Sequence, residues 1–404
     1  MLTNRISQEI SNDKADFIAA ACDEVISGVL NDSFIVDPIE GGAGTSMNMN
    51  ANEVIANRAI ELSGGRKGDY SVIHPNDHVN MSQSTNDVVP TAIKMAAIRL
   101  CDAMLAELRS LFVALLDKSI EFSDVIKIGR TQMQDAVPIS LGQEFFAYAD
   151  AVRRSVENIE AVKKELFVVN MGGTAIGTGI NASSAYRKKI VPMISEISGL
   201  KLIASENLID STQNADCYVT VSGSLKACAA VLSKIANDLR LMSSGPNAGF
   251  NEIVLPKMQS GSSIMPGKVN PVIPEVVNQA AFRVIGNDIC ITMAAEAGQL
   301  ELNAFAPIIA YSLFESFDIL AASVKTFREN CIRGIQANNG ECLENLNRST
   351  GTVTVLSLYI GYDKAAEVAK RMLNEKKSAK EIALEEGLLS EAELDAILDP
   401  KKMI

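Results

Sequence analysis

The stretch "CYVTVSGSLKACAAVLSKIANDLRLM", residues 217 to 242, has apolar residues at regular intervals of three and four. They are Val221, Leu225, Cys228, Leu232, Ile235, Leu239 and Met242. Positions three and four apart share one face of an α-helix, so this spacing predicts a single buried stripe on a helix of about seven turns. At about 1.5 Å per residue, that helix is longer than ~35 Å.

Other parts of the chain repeat this pattern. One stripe runs from Ile93 to Leu115 and another from Leu141 to Leu166, while the region from Pro274 to Gly334 also reads as helical, with a kink or break at Pro307. Long helices of this kind predict a mainly all-α fold, an elongated long-helix bundle. Their wide apolar faces predict packing against further copies of the chain.

The organisation of the chain changes near its end. After about Gly340 the long stripes give way to short amphipathic pieces with helix-capping residues, such as "SAKEIALEEG" and "SEAELDAIL". We therefore predict an N-terminal domain over 1–83, a central long-helix bundle over 84–340 and a small helical C-terminal domain over 341–404.

Composition excludes several classes of protein. With 404 residues, 47% of them hydrophobic, the chain can bury a large core, and a net charge of −12 argues against a nucleic-acid partner. Its seven scattered cysteines form no C-x-x-C pair, which speaks against a disulfide framework or a zinc site. No apolar run has signal-peptide or membrane-span length, so we predict a cytoplasmic protein with no membrane partner.

Four polar loops interrupt the helical pattern: "GGAGTSMNMN" (41–50), "HPNDHVNMSQSTND" (74–87), "GRTQMQDAVP" (129–138) and "GSSIMPGKVNP" (261–271). Each alone could be only caps and turns. Together they offer many neutral donors and few cations, which suits a small dianionic ligand. The candidate residues are Thr45, Ser84, Thr85, Asn86, Thr131, Gln132, Ser262, Ser263, Lys268 and Asn270.

The available side chains limit the chemistry. The two histidines, His74 and His78, lie in one short stretch, so no Ser-His-Asp set is available, and Pro75 predicts a turn rather than a helical metal site. We therefore predict no metal site. A serine on a glycine loop remains; backbone N–H groups and a lysine could stabilise its alkoxide as a base that removes a proton next to a carboxylate.

The same loops resemble the conserved stretches of the aspartase/fumarase superfamily, in the family's order. "GSSIMPGKVNP" with "VIPEVVNQ" resembles its signature loop, "GGTAIGTGIN" resembles another stretch, and the likeness covers essentially the whole chain. The resemblance implies a homotetramer with a central multi-helix core and active sites built from three subunits. It also implies elimination of ammonia or water from a C4 dicarboxylate to give fumarate, without an organic cofactor.

Roles for the candidate residues follow from the resemblance. Ser262 would take the Cβ proton, and Asn86 would contact the leaving amino group. The α-carboxylate would be held by Lys268, Asn270 and Thr131. The β-carboxylate, as it becomes an enediolate, would be received by Thr45, Ser84, Thr85 and Ser263.

Position 132 separates two branches of the superfamily. Fumarases that resemble this chain typically have histidine in "GRTH", whereas this sequence reads "GRTQ". The carbonyl oxygen of Gln132 can accept from a substrate ammonium, but an amide is a poor proton carrier for a departing hydroxide. Aspartate is therefore favoured over malate, with a fumarate hydratase as the alternative.

A non-catalytic oligomeric scaffold is the competing class, because the superfamily has also produced such proteins. The sequence retains Thr85, Ser262, Lys268 and Asn270, which favours an enzyme.

Two departures from the family pattern stand out. Its first segment, with an arginine thought to line the site, has no counterpart before "MLTNRIS", and this departure predicts either a shortened chain or impaired activity. Ser357 and Leu358 occupy places where the family usually has Asn-Pro, which could alter closure of the site.

Overall fold

The structure is a computed structural model that describes residues 1–399 and Lys402. Helices dominate it. They are α1 Leu2–Ile6, α2 Asn12–Ile26, α3 Thr45–Leu62, α4 Thr85–Glu121, α5 Leu141–Lys163, α6 Ser184–Ser198, α7 Asp210–Gln213, α8 Asp216–Met242, α9 Val272–Glu296, α10 Ala306–Asn330, α11 Asn339–Arg348, α12 Gly351–Ile360, α13 Tyr362–Glu375, α14 Ala379–Glu385 and α15 Glu391–Ile397.

The strands are short. They are β1 Ile126–Thr131, β2 Gln134–Ser140, β3 Val168–Val169, β4 Ile203–Ala204, β5 Ile253–Val254 and β6 Gln336–Ala337. β1 pairs with β2 and β5 with β6 in antiparallel fashion, while β3 and β4 are parallel. The mainly all-α fold class is thus confirmed.

The predicted apolar stripes are the buried faces of the long helices. All seven stripe residues of α8 are buried, and the stripes of α4 and α5 are buried except for the half-buried Leu100 and Val162. The predicted break at Pro307 is also confirmed, because α9 ends at Glu296 and α10 begins at Ala306. Pro307 lies in the first turn of α10, where its missing N–H leaves no helical hydrogen bond unmade.

Three of the four predicted loops contain regular structure, which corrects their placement between the helices: residues 45–50 belong to α3, residues 85–87 begin α4, and residues 129–138 lie in β1, β2 and the turn between them. "GRTQMQDAVP" forms most of a β-hairpin, in which Thr131 pairs with Gln134 and a register shift lies between Ile128 and Arg130. Its two turn residues, Gln132 and Met133, have φ values of 53° and 64°. Turns with positive φ at both positions usually contain Asn-Gly, so the sequence lacked the ordinary hairpin signal.

Contacts divide the chain into two compact units. The first contains Met1–Leu105, Glu157–Ala227 and Phe282–Leu320, and the second contains Ala106–Val156, Cys228–Ala281 and Ala321–Ile404. Within the second unit, α12 to α15 bury a core cluster of their own that includes Leu356, Val368 and Ile382. The sequence-based division at 83/84 and 340/341 stays a prediction.

Two helical stretches, Asp216–Met242 and Ala306–Gly334, are long and apolar enough to cross a membrane by composition alone, with mean hydropathy 1.3. Their apolar residues belong to the core, since Leu225, Leu313 and Phe317 are fully buried. Core helices of folded proteins share this composition, so the two stretches are weak evidence for a membrane span. The seven cysteines, all of them within the described residues, form no disulfide bonds with one another.

Candidate active site

Ser84 and Thr85 lie where α4 begins, and they line a cleft of the first unit, here called the hydroxyl cleft. Its other polar lining residues are Asn48, Asn80, Ser82, Gln83, Thr174 and Asn181. Thr85 Oγ1 accepts a hydrogen bond from Asn48 Nδ2 at 3.1 Å, and Ser84 Oγ accepts from the backbone N–H of Asn86 at 3.2 Å. Among the described residues, neither hydroxyl donates to a protein group, so both protons remain for an acceptor in the cleft.

Asp87 joins the beginning of α4 to the "GGTAIGTGIN" loop. Its side chain is fully buried; Oδ1 accepts from the N–H of Ser84 at 2.9 Å, and Oδ2 accepts from those of Gly172 and Thr174 at 3.1 and 2.9 Å. Burial raises the pKa of the Asp87 carboxyl, and the donating backbone N–H groups oppose that shift. Asp87 therefore holds two walls of the hydroxyl cleft together.

Thr174 shows backbone strain beside this cleft. It is a β-branched residue with φ of 55°, is only 4% exposed, and its Oγ1 has no hydrogen-bond partner in the part of the chain that the structure describes. Strained, unpaired polar groups cluster at functional sites, which supports a functional cleft here.

Two other candidates of the first unit lie outside the lining of the hydroxyl cleft. The Thr45 hydroxyl donates to the carbonyl of Gly42 at 2.8 Å, so it must rotate before it can donate to a carboxylate. Asn86 donates from Nδ2 to the carbonyl of Ala175 at 2.7 Å and lines a smaller pocket with Lys94. The remaining polar atom of that amide is a carbonyl oxygen, which suits an ammonium group.

The Ser262 loop belongs to the second unit, and a backbone hydrogen bond joins its two ends. The backbone N–H of Ser262 donates to the carbonyl of Lys268 at 3.0 Å, and Gly267 adopts φ of 84°, which glycine tolerates without strain. The N–H groups of Ile264 and Met265 donate to Ser262 Oγ at 3.3 and 3.1 Å. Two backbone donors therefore converge on the oxygen that would carry the negative charge of an alkoxide.

Lys268 and Asn270 lie in a second cleft, here called the lysine cleft, which the turn 243–247 also lines. Two further cations, Arg240 and Lys257, line it as well. Ser263 is exposed on the same Ser262 loop, between Ser262 and Lys268. This cleft has the positive charge that a carboxylate requires.

Thr131 and Gln132 lie exposed at the tip of the β1–β2 hairpin. A buried ion cluster lies along the hairpin: Lys127 Nζ is 2.9 Å from carboxylate oxygens of both Glu144 and Glu252, and Arg130 is 2.7 Å from Glu252. Burial lowers the pKa of Lys127, but the two carboxylates outweigh it, so that pKa is raised. Lys127 is therefore charged, and its ion pairs and that of Arg130 hold β1 against Glu144 and Glu252.

His74 and His78 form a turn, as predicted. Pro75–Val79 is a π-helical turn in which His74 Nδ1 accepts from the N–H groups of Asn76 and Asp77, and His78 Nδ1 accepts from the N–H of His74. Burial and the nearby Lys14 lower the pKa of His78. Over residues 1–399 and Lys402, no cluster of three or more His, Cys, Asp or Glu side chains could hold a metal ion.

Comparison with known proteins reveals close relatives. Residues 3–286 match the family described as "Lyase", and residues 353–404 match the family described as "Fumarase C C-terminus". The chain is 53% identical over 387 residues to an aspartate ammonia-lyase of Helicobacter pylori (strain ATCC 700392 / 26695), which covers 96% of this chain and 83% of that protein. The chain belongs to the aspartase/fumarase superfamily.

Other members of the superfamily are similar over the same span. An aspartate ammonia-lyase of Bacillus subtilis (strain 168) is 50% identical over 386 residues, 96% of this chain and 81% of that protein. A solved fumarate lyase:delta crystallin of Brucella melitensis, bound to cobalt, is 50% identical with a TM-score of 0.97, covering 100% of this chain and 87% of that one. A class II fumarase of Schistosoma mansoni is 37% identical with a TM-score of 0.94 over the same shares.

The superfamily residues predicted from the sequence fall into separate local groups. The first unit contains Thr45, Ser84, Thr85 and Asn86, and the second contains Thr131, Gln132, Ser262, Ser263, Lys268 and Asn270. The structure brings Ser84 and Thr85 into one cleft and Lys268 and Asn270 into another. Their individual roles stay predictions.

Two residues that hold the site in place, Asp87 and Asn48, were not predicted from the sequence. Asp87 ends the quoted "SQSTND" motif and reads as a helix cap, while Asn48 lies within "TSMNMN" and reads as a polar helix residue. Their positions in superfamily motifs were the only available signal, because their partners lie far away in the chain.

Proposed function

We propose that this chain catalyses the reversible β-elimination of ammonia from L-aspartate to give fumarate. The observation that carries the mechanism is the pair of backbone N–H groups donating to Ser262 Oγ. Such donors stabilise an alkoxide and lower the pKa of its hydroxyl, which a serine needs in order to act as a base. The aspartate ammonia-lyases among the relatives, about half identical over nearly the whole chain, support the substrate.

The proposed reaction proceeds in two steps. The Ser262 alkoxide takes a proton from Cβ, and the electrons of that C–H bond move into the neighbouring β-carboxylate to form an enediolate. When those electrons return to form the Cα–Cβ double bond, the C–N bond breaks and its electron pair leaves with ammonia. The protonated amino group departs as neutral ammonia, so no further acid is required.

The two carboxylates of the substrate are assigned to two different groups of donor side chains. Lys268, Asn270 and Thr131 would hold the α-carboxylate, which keeps its charge throughout the reaction. The β-carboxylate gains charge as the enediolate forms, so donors beside it stabilise the transition state more than the substrate. That place is assigned to Thr45, Ser84, Thr85 and Ser263.

The amide of Gln132 leads to a prediction about substrate preference. We expect deamination of L-aspartate with poor turnover of L-malate, because Gln132 can seat an ammonium but cannot deliver a proton to a departing hydroxide. Fumarate absorbance at about 240 nm, followed with both substrates in parallel, measures this. Faster turnover of malate would contradict the assignment and identify a fumarate hydratase, and no turnover of either would favour a scaffold.

Replacing Lys268 by alanine tests carboxylate binding. We expect KM for L-aspartate to rise at least ~100-fold and kcat to fall, because a buried carboxylate without its cation costs several kcal/mol. Lys257→Ala is the matched control, since it removes a cation from the same cleft outside the superfamily motif. Steady-state kinetics of both variants decide, and a change in kcat with KM unaltered would argue against a carboxylate contact.

We also propose that the chain assembles as a homotetramer in the cytoplasm, with sites shared between subunits. Support comes from α9, which exposes Phe282, Ile289 and Met293 along one side, because residues seven and four apart lie close to the same helix face. Phe282 and Met293 are each 64% exposed, which is unfavourable for large apolar side chains in water. Helices of further copies would cover this face.

A further inference from the structure

Three asparagine side chains form a hydrogen-bonded group behind Thr85 in the hydroxyl cleft. Asn48 and Asn52, one turn apart on α3, are 9% and 6% exposed. Asn48 Nδ2 donates both to Asn80 Oδ1 at 3.3 Å and to Thr85 Oγ1 at 3.1 Å. Asn52 Nδ2 donates to Asn80 Oδ1 at 3.1 Å and to Asn48 Oδ1 at 3.3 Å.

The direction of every bond in this group follows from one backbone carbonyl. Asn80 Nδ2 donates to the carbonyl of Gln83 at 3.4 Å, and a carbonyl can only accept. Asn80 must therefore turn its own oxygen toward Asn48 and Asn52. Facing that oxygen, Asn48 must present its NH₂ group, whose second hydrogen reaches Thr85.

The hydrogen bond from Asn48 leaves the single hydroxyl proton of Thr85 available for another acceptor. A threonine hydroxyl has one proton to donate and two lone pairs that accept. Since Asn48 donates to one lone pair, the proton of Thr85 is kept for another acceptor. A carboxylate only accepts, so a hydroxyl that presents its proton attracts it and one that presents a lone pair repels it.

We propose that Asn48 is a positioning residue, which directs the Thr85 hydroxyl proton toward the carboxylate of the substrate. This inference rests on the proposed function, because it needs Thr85 to bind the β-carboxylate. Asn48 acts through Thr85 in this role: it decides whether Thr85 meets the substrate as a donor or as an acceptor.

The substitution Asn48→Asp tests the direction of the bond with almost no change of shape. It replaces the donating NH₂ by a carboxylate oxygen, so the Thr85 proton turns toward that new oxygen and away from the substrate. Asn52→Asp is the control for a charge in the same group that does not contact Thr85. Because Asn48 lines the cleft and Asn52 does not, Asn48→Asp is also made in a Thr85→Ala background, where only direct repulsion of the substrate could still weaken fumarate binding. KM and kcat for L-aspartate are measured between about pH 6 and 9, together with the thermal unfolding midpoint.

We expect Asn48→Asp to raise KM at least about 30-fold relative to Asn52→Asp, the range of a lost hydrogen bond to a charged group. The difference in KM between the two variants should shrink as the pH is lowered, because the carboxyl becomes protonated and its O–H group can again donate to Thr85. A merely structural defect would not follow this pH profile. Equal KM values for the two variants at every pH would overturn the proposal.

A double-mutant cycle keeps the test valid if Asn48→Asp does not fold. Asn48→Ala should raise the Kd for fumarate, measured by calorimetric titration, about five-fold in the otherwise unchanged chain and leave it unaltered in a Thr85→Ala background, because no hydroxyl is then left to orient. The same rise in both backgrounds would overturn the proposal. If Thr85→Ala alone leaves the Kd for fumarate unchanged, then Thr85 does not bind the carboxylate, and the proposed site fails rather than its positioning.

Discussion

Replacing Ser262 by alanine is expected to lower kcat at least ~10³-fold, or roughly 4 kcal/mol of barrier, with the fold intact. The Ser262 hydroxyl is the proposed base, and the N–H groups of Ile264 and Met265 donate to its oxygen, where they would stabilise the alkoxide. The half-buried Ser262 lies on a loop held by its own backbone, so loss of the hydroxyl should not unfold the chain. Initial rates of fumarate formation measure the effect.

Ser260→Ala is the matched control for this experiment. Ser260 lies two residues before Ser262 and outside the loop that the Ser262 N–H closes on Lys268. We expect it to keep near-normal kcat and the same unfolding midpoint as Ser262→Ala. Near-normal turnover in Ser262→Ala itself would remove serine from the role of base, whatever the control shows.

Mixing two inactive variants should restore activity if the sites are shared between subunits. Thr85→Ala and Ser262→Ala are each expected to be nearly inactive alone. After joint unfolding and refolding in equal amounts, about a quarter of the sites should draw both residues from unmutated positions, since each comes independently from a different chain. The recovered specific activity, with subunit exchange shown by native mass spectrometry, measures this.

The reverse mixture provides a control that starts from an active protein. Unmutated chain refolded with an equal amount of the Thr85→Ala/Ser262→Ala double variant should keep about a quarter of full activity when sites are shared, and about half when each chain builds its own. A mixture of the two single variants that stays inactive despite proven exchange would show that Thr85 and Ser262 serve one site from one chain.

The amino-acid sequence by itself determined the features that depend on short-range order. The spacing of Leu225, Cys228 and Leu232 determined the buried face of α8, because a helix places positions three and four apart on one side whatever it packs against. Pro307 likewise determined where α10 begins, since proline is excluded from a helix interior but not from its first turn. The polar loops and their superfamily motifs also came from local sequence, and with them the candidate site residues.

Only the tertiary structure decided how those residues are held and which way their protons point. Asp87 binds the backbone of Gly172 and Thr174, Arg130 binds Glu252, and Asn48 binds Thr85, and in each pair the partners are separated by many residues along the chain. Such contacts follow from the packing of distant segments and leave no periodic signal in the sequence. The direction of a hydrogen bond also depends on every other partner in its group, so the donor role of the Thr85 hydroxyl could be inferred only once the carbonyl of Gln83 and the amides of Asn80 and Asn48 were seen together.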